Sequence, residues 1–252
     1  MPQHKSTSDL PQGVWSLKHH PSDETVPMNF LHVKSSLMSH CFWYLRNRET
    51  PRDQFCHYAR LATKILVPYA VSPLSFREEN VMTPMNAQAR VLYNRSRIVL
   101  VSVLRAGQLM VEEFDKMLPG MCSIAHIRVE RVLPDHHAEF RFESIPRIGN
   151  DDLVIVPDPM LASGGSLKLT LEHLIERGAT PANITSVHLV SAPPGVIAVN
   201  RSFPDVRVMI AAMDARLDEN LYICGEGLTP YYGEEGLGDF GDRAFFDDTA
   251  TP

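Results

Sequence analysis

The chain has 252 residues, 44% of them hydrophobic, which is enough to bury the core of one large α/β domain. Its net charge of -6 and pI near 6.0 speak against a broad electrostatic footprint on nucleic acid or an anionic membrane, but leave room for a local basic pocket. Four scattered cysteines, Cys41, Cys56, Cys122 and Cys224, form no CxxC pair, so neither a zinc knuckle nor a disulfide framework is indicated. They fit idle thiols in a reducing cytosol.

Residues 1–28 are polar and punctuated by proline, and read as a flexible N-terminal arm. No apolar h-region marks a secretory signal. No apolar run approaches the ~20 residues that span a bilayer, and a cytoplasmic location is expected. Residues 29–246 read as one domain and residues 247–252 as a C-terminal tail. Residues 29–70 look helical. Within them Thr50 is placed to cap, Pro51 fits the first helical position and Asp53 sits where a capping-box acid belongs. Phe55, Tyr58, Ala59, Ala62, Ile65 and Leu66 then share one helical face, the pattern of core packing.

After residue 90 short apolar runs alternate with helical stretches. The series is "IVLVSV" (98–103), "GQLMVEEFDKML" (107–118), "SIAHIRVE" (123–130), "LVIV" (153–156), and a helix from about Ser166 to Arg177. "ITSVHLV" (184–190), "VIAVNRSF" (196–203) and "VRVMIAAM" (206–213) complete it. Such alternation predicts βαβ units and a mostly parallel sheet covered by helices. Sheets of that kind bind ligands beyond the carboxyl ends of their strands, in the loops leading to helices.

The loop "ASGGS" lies between the strand at 153–156 and the helix from Ser166, with Gly178 as that helix's stop. Backbone amides and the helix dipole at such a place hold a phosphate, and glycines let the chain approach it closely. Ser163 and Ser166 add hydroxyl donors. Asp158, just upstream, is placed to accept hydrogen bonds from a sugar's hydroxyls. A Walker loop is excluded, because Ser166 and Leu167 follow Gly165 where a lysine would be needed. "GLGDFG" (236–241) matches GxGxxG literally, but follows no clear strand and precedes no helix pattern, so it reads as a false dinucleotide match.

The stretch "DPMLASGGS" (158–166) resembles the phosphoribosyl-pyrophosphate (PRPP) signature of type I phosphoribosyltransferases, in the version carried by uracil phosphoribosyltransferases. Other segments resemble the family in the same order. They are "TPMNAQARVL" (83–92) for a β-arm, "VLRAG" (103–107) for a pyrophosphate loop, and "AHIRVER" (125–131) for a strand ending in a phosphate-binding arginine. "SAPPGVIAVNRSFPDVRVMIAAMD" (191–214) and "GLGDFGDRAF" (236–245) resemble the closing strands and uracil region. The resemblance implies a parallel sheet flanked by helices, with a β-arm and a C-terminal hood. It further implies transfer of 5-phosphoribosyl from PRPP to uracil, giving UMP and pyrophosphate in pyrimidine salvage. Mg²⁺ bound mainly through PRPP and a homodimer or higher homo-oligomer go with it, with no nucleic acid or membrane partner.

By the same resemblance Arg105, Ala106, Gly107 and Arg131 bind PRPP, together with Asp158, Pro159, Met160, Leu161, Ala162, Ser163, Gly164, Gly165, Ser166 and Asp239. Asp158 and Arg105 carry the catalytic roles, and Ile223, Gly238, Asp239 and Phe240 form the base site; no protein metal ligand is implied. The chain departs from the family around Arg131, where glutamate precedes and valine follows. It also departs at Pro157, at Phe240 in place of the usual alanine, and in an insertion over 224–235. That longer loop is an inert excursion, a lid or a reshaped acceptor pocket. A different acceptor base, or a weakly catalytic PRPP-binding or RNA-binding regulator, therefore stand as alternatives. His136 and His137, with Asp135 and Glu139, read as solvated side chains, because no spaced ligand set accompanies them.

Overall fold

The computed structural model describes residues 29–74, 76–94, 96–132, 137–227 and 236–245. The expected N-terminal arm (1–28), residues 228–235 of the insertion and the tail (247–252) lie outside the described residues.

The first departure comes at once. Phe30–His32 is a strand (β1), although the stretch was expected to be helical. Its conformation is set from far along the chain, since Phe30 pairs in parallel with Val208 and Leu31 with Met209. Helix α1 (Ser36–Arg46) follows, capped by the Ser35 hydroxyl, which accepts from the Met38 amide. Helix α2 (Arg52–Ala70) starts with Pro51 as its cap residue, and no side chain caps it. Thr50 is therefore not the cap: its Oγ1 is buried without a partner, and Pro51 O opens the helix by accepting from Phe55 N. Phe55, Ala59, Ala62 and Leu66 of the predicted stripe are fully buried. Burying a side chain such as Phe55 contributes roughly 1.5–3 kcal/mol.

A two-stranded hairpin, β2 (Phe76–Met82) and β3 (Gln88–Asn94), stands where the β-arm was expected. Both strands are largely exposed. Then come β4 (Ile98–Leu104), α3 (Gln108–Met117), β5 (Cys122–Val132), β6 (His137–Ser144), β7 (Leu153–Pro157), the short β8 (Met160–Leu161) and α4 (Gly165–Glu176). The chain closes with β9 (Ile184–Ser191), α5 (Pro193–Ser202), β10 (Arg207–Leu217), β11 (Ile223–Gly227) and α6 (Phe240–Phe245). A helix therefore does begin inside "GLGDFG", contrary to expectation. It is a short one, pinned at its end rather than specified by an amphipathic repeat.

The sheet runs β1-β10-β9-β7-β4-β5-β6. Every neighbouring pair along it is parallel except β5 and β6. β7 and β9 are buried throughout, as strands covered on both faces must be. One face packs on α1, α2, α3 and α6, the other on α4 and α5. Gly178 ends α4 with φ of 100°, a left-handed turn that glycine adopts without a Cβ clash. Among the described residues no helix is long and apolar enough to cross a membrane. The four cysteines are unpaired, and burial pushes the Cys41 and Cys122 thiols up to about 11, so both stay protonated and inert at neutral pH.

Candidate functional site

Parallel strands with right-handed helical returns leave their carboxyl ends open, and here they open on one cleft of about 800 Å³. Leaving β4, Arg105 and Ala106 form one edge; the Leu104–Arg105 peptide is cis. Gly107 then starts α3 from a buried position. A Cβ there would lie 2.6 Å from Pro157 O, so only glycine lets this loop close against the next one. No side chain caps α3, and none caps α4. The first-turn amides of a helix have no intrahelical partner, so an uncapped start is a ready anion site.

The second edge is the chain from Asp158 to Leu167. Asp158, Met160, Leu161, Ala162, Ser163, Gly164, Gly165 and Ser166 all line the cleft, while Pro159 is buried behind them. Gly164 has φ of 85°, the turn that swings the chain from β8 into α4. Helix α5 braces the loop from below: a Cβ on Gly195 would meet Ala162 O at 2.3 Å.

The backbone of Asp158 is held by β9. Its N–H donates to Val187 O at 3.0 Å, and its carbonyl lies 2.6 Å from Nδ1 of His188. Burial holds the His188 imidazole down to about 4, hence neutral.

The far wall is Asn220–Ile223 with Asp239, Phe240 and Gly241. Two arginines fix it. Arg46 of α1 reaches both carboxylate oxygens of Asp214 at 2.9 and 2.5 Å and donates to Gly236 O at 2.8 Å. Gly236 N donates back to Asp214 at 3.1 Å. Arg243 of α6 donates to Leu237 O and Asn47 O at 2.9 Å each and to Leu45 O, and lies over the Phe55 ring at 4.2 Å.

Comparison with known proteins places this geometry. The family model for uracil phosphoribosyltransferase matches residues 32–246. The uracil phosphoribosyltransferase of Lacticaseibacillus paracasei is 34% identical over 219 residues, covering 86% of this chain and 97% of that protein. The chain belongs to the uracil phosphoribosyltransferase family. The uracil phosphoribosyltransferase of Dictyostelium discoideum is 30% identical, covering 87% of this chain and 97% of the relative. Among solved structures the AQ2163 protein of Aquifex aeolicus superposes with a TM-score of 0.75 at 25% identity, covering 86% of this chain.

Within this uracil phosphoribosyltransferase fold most residues singled out in the sequence converge. Arg105, Ala106, Asp158, Met160, the Leu161–Ser166 loop, Ile223, Asp239 and Phe240 share the cleft. Others stand apart. Gly107 and Pro159 sit behind the lining, and Gly238, with φ of 74°, turns the loop outside it. Phe240 lines the cleft, but the residue is 1% exposed and its ring packs on Phe55 at 5.2 Å, so the ring works as core. Arg131 lies on β5, paired with Ala138, and its side chain is outside the described residues, as are Asp135 and His136.

The structure adds cleft residues that the sequence reading passed over: Arg128 and Glu130 on β5, and Asn220, Leu221 and Tyr222 before β11. Glu130 is held by Arg128 at 2.8 Å and by Arg141 of β6 at 3.0 Å, and these partners, Arg128 first, draw its carboxyl below the usual range. The signal was present in "IRVER", where charges alternate on a strand end. The partner Arg141, eleven residues on, was invisible until β6 folded back.

Proposed function

We propose that this cleft transfers the 5-phosphoribosyl group of PRPP to uracil, giving UMP and pyrophosphate. The observation that carries this reading is the convergence of the Arg105 loop and the Ser163–Ser166 loop, each leading into an uncapped helix, on one cleft that also holds Asp158. Two anion-binding edges suit a substrate with a phosphate at one end and a diphosphate at the other.

In the reaction a ring nitrogen of uracil forms a bond to C1 of the ribose as the bond from C1 to the pyrophosphate oxygen breaks. The electron pair of that bond leaves with pyrophosphate, and the nitrogen's proton is lost. Positive charge builds on the sugar, as in other glycosidic substitutions. The protein's task is placement and charge management rather than covalent chemistry. The 162–166 amides and the Ser163 and Ser166 hydroxyls hold the 5′-phosphate. Asp158 accepts hydrogen bonds from the ribose hydroxyls. Arg105 meets the departing pyrophosphate, for which a planar guanidinium fork is well matched; Arg131 is assigned the same group. The far wall presents backbone groups of Ile223 and Phe240 to the base, and Asp239 orients PRPP.

Mg²⁺ fits this site as an ion carried by the diphosphate. Among the described residues no three His, Cys, Asp or Glu side chains converge into a cage, and Mg²⁺ commonly combines one or two carboxylates with phosphate oxygens and water. Asp158 and Asp239 are the cleft carboxylates that would hold it, since Glu130, also in the cleft, is engaged by Arg128 and Arg141, and the ion would offset charge on the leaving group. The exposed Phe76, Met82, Leu92 and Tyr93 of the hairpin support a homo-oligomer that covers them. The substrates are small and water-soluble, consistent with a cytoplasmic enzyme.

Initial-rate assays with PRPP, Mg²⁺ and a panel of pyrimidines test the reading; absence of PRPP-dependent turnover with every base defeats it. Asp158→Asn should cut turnover while leaving the fold intact, and an unchanged rate removes Asp158 from the site. A different acceptor is the second reading, favoured because the insertion springs from Ile223 in the cleft wall. A clear preference for uracil in the same panel eliminates it. A regulatory RNA partner would show as salt-sensitive binding.

A further inference from the structure

β9 holds the Asp158 turn through successive residues. Val187 O accepts from Asp158 N, while Leu189 N and Val190 N both donate to Pro159 O at 3.0 Å. With those two amides spent on Pro159, the Asp158 carbonyl is met by a side chain instead. That side chain is His188, 0% exposed, in a strand otherwise built of aliphatic and small hydroxyl residues. A carbonyl only accepts, so Nδ1 must carry the proton. Nε2 is then a bare acceptor, and among the described residues it is buried with no partner. Leaving such an atom unsatisfied costs stability that an aliphatic residue would not incur. A histidine placed there serves something other than packing.

Resting on the functional reading above, we propose that His188 is a positioning residue for PRPP binding: its Nδ1–H fixes the Asp158 carbonyl and so sets where the Asp158 carboxylate stands in the cleft. The two ends of Asp158 are thereby gripped by successive residues of one rigid central strand. The carboxylate, which accepts from Met160 N at 3.5 Å, belongs to a residue that lines the cleft. Precision of this kind is what sugar recognition demands, since a displacement of about 1 Å in a positioned group can cost as much as ~100-fold in rate. His188 touches no reacting atom in this scheme; it acts through Asp158.

Two variants separate positioning from packing. His188→Leu fills the space without a donor. His188→Asn returns an amide N–H near the place of Nδ1. His188→Leu should weaken PRPP binding by calorimetry, and raise its KM, about fivefold to tenfold, the worth of one net hydrogen bond, with KM for the base unmoved. His188→Asn should recover most of that loss. Histidine ¹⁵N spectra of the wild-type protein should show the Nδ1–H tautomer. Unaltered PRPP affinity in a folded His188→Leu protein overturns the proposal. So does His188→Asn behaving no better than His188→Leu, or an Nε2–H tautomer in the wild type. Wild-type protein that fails to turn over counts against the functional reading alone, because the tautomer and PRPP binding are read without catalysis.

Discussion

Replacing Arg46 by methionine should destabilise the protein by about 3–5 kcal/mol, the usual cost of stripping one partner from a buried ion pair. The geometry puts this pair at the high end. Asp214 is completely buried and the Arg46 side chain is 12% exposed. Removing the guanidinium leaves, among the described residues, a carboxylate hydrogen-bonded to the Gly236 amide alone, at 3.1 Å. Domains of ordinary stability hold about 5–15 kcal/mol in total, so the loss is a third or more of the whole. Urea unfolding with a fixed m-value measures it. Pairing Arg46→Met with Asp214→Leu completes a double-mutant cycle, and the double variant should recover about 2 kcal/mol or more relative to the sum of the singles. Because Arg46 also binds Gly236 O, the single variant should raise KM for the base through the Asp239–Gly241 wall. A cost below about 1 kcal/mol, or strict additivity in the cycle, refutes the reasoning, since a solvated pair is worth no more than that.

Stability should fall as pH drops from about 6.5 towards 4. Burial holds both His32 and His188 down to about 4, so between those values the unfolded imidazoles take up protons that the folded ones refuse. Each histidine contributes up to about 3 kcal/mol across that window, and thermal unfolding that is flat from pH 7 to 4.5 contradicts it. Gly195→Ala should weaken PRPP binding and cost about 1–3 kcal/mol. The added methyl lands 2.3 Å from Ala162 O, backbone against backbone, so α5 and the 162–166 loop must move apart. Undiminished PRPP affinity in that variant denies α5 its bracing role.

What the sequence disclosed was whatever local chemistry decides. The buried runs of β4, β7 and β9 are apolar because both faces are covered, and that is readable in a window of a few residues. The 158–166 loop was legible as a turn from strand into helix, because a glycine pair at such a place supplies the left-handed φ that Gly164 adopts. Tertiary pairing overrode the rest. β1 is a strand only because β10 lies beside it, 178 positions later in register. Thr50 looked like a cap, yet Pro51 took the cap position and the threonine hydroxyl went unused. Phe240 was placed at the cleft by its motif, and it does line the cleft, but the packing of its ring on Phe55 of α2 could not be read from the sequence. His188 drew no attention, since a lone histidine in an apolar run shows its partner only once the chain after β7 brings the Asp158 carbonyl against it.

Both ends of the described chain are sewn into the same corner. β1 waits for β10, Arg46 for Asp214, and Leu45 and Asn47 for Arg243. During synthesis the segment around α1 therefore emerges about 180 residues ahead of the groups that complete it. At ~5–20 residues per second that is a delay of roughly 10–35 s, in which a greasy helical hairpin has no native cover. Chaperone demand on the ribosome, rather than the stability of the finished enzyme, is where this topology should make itself felt in a cell.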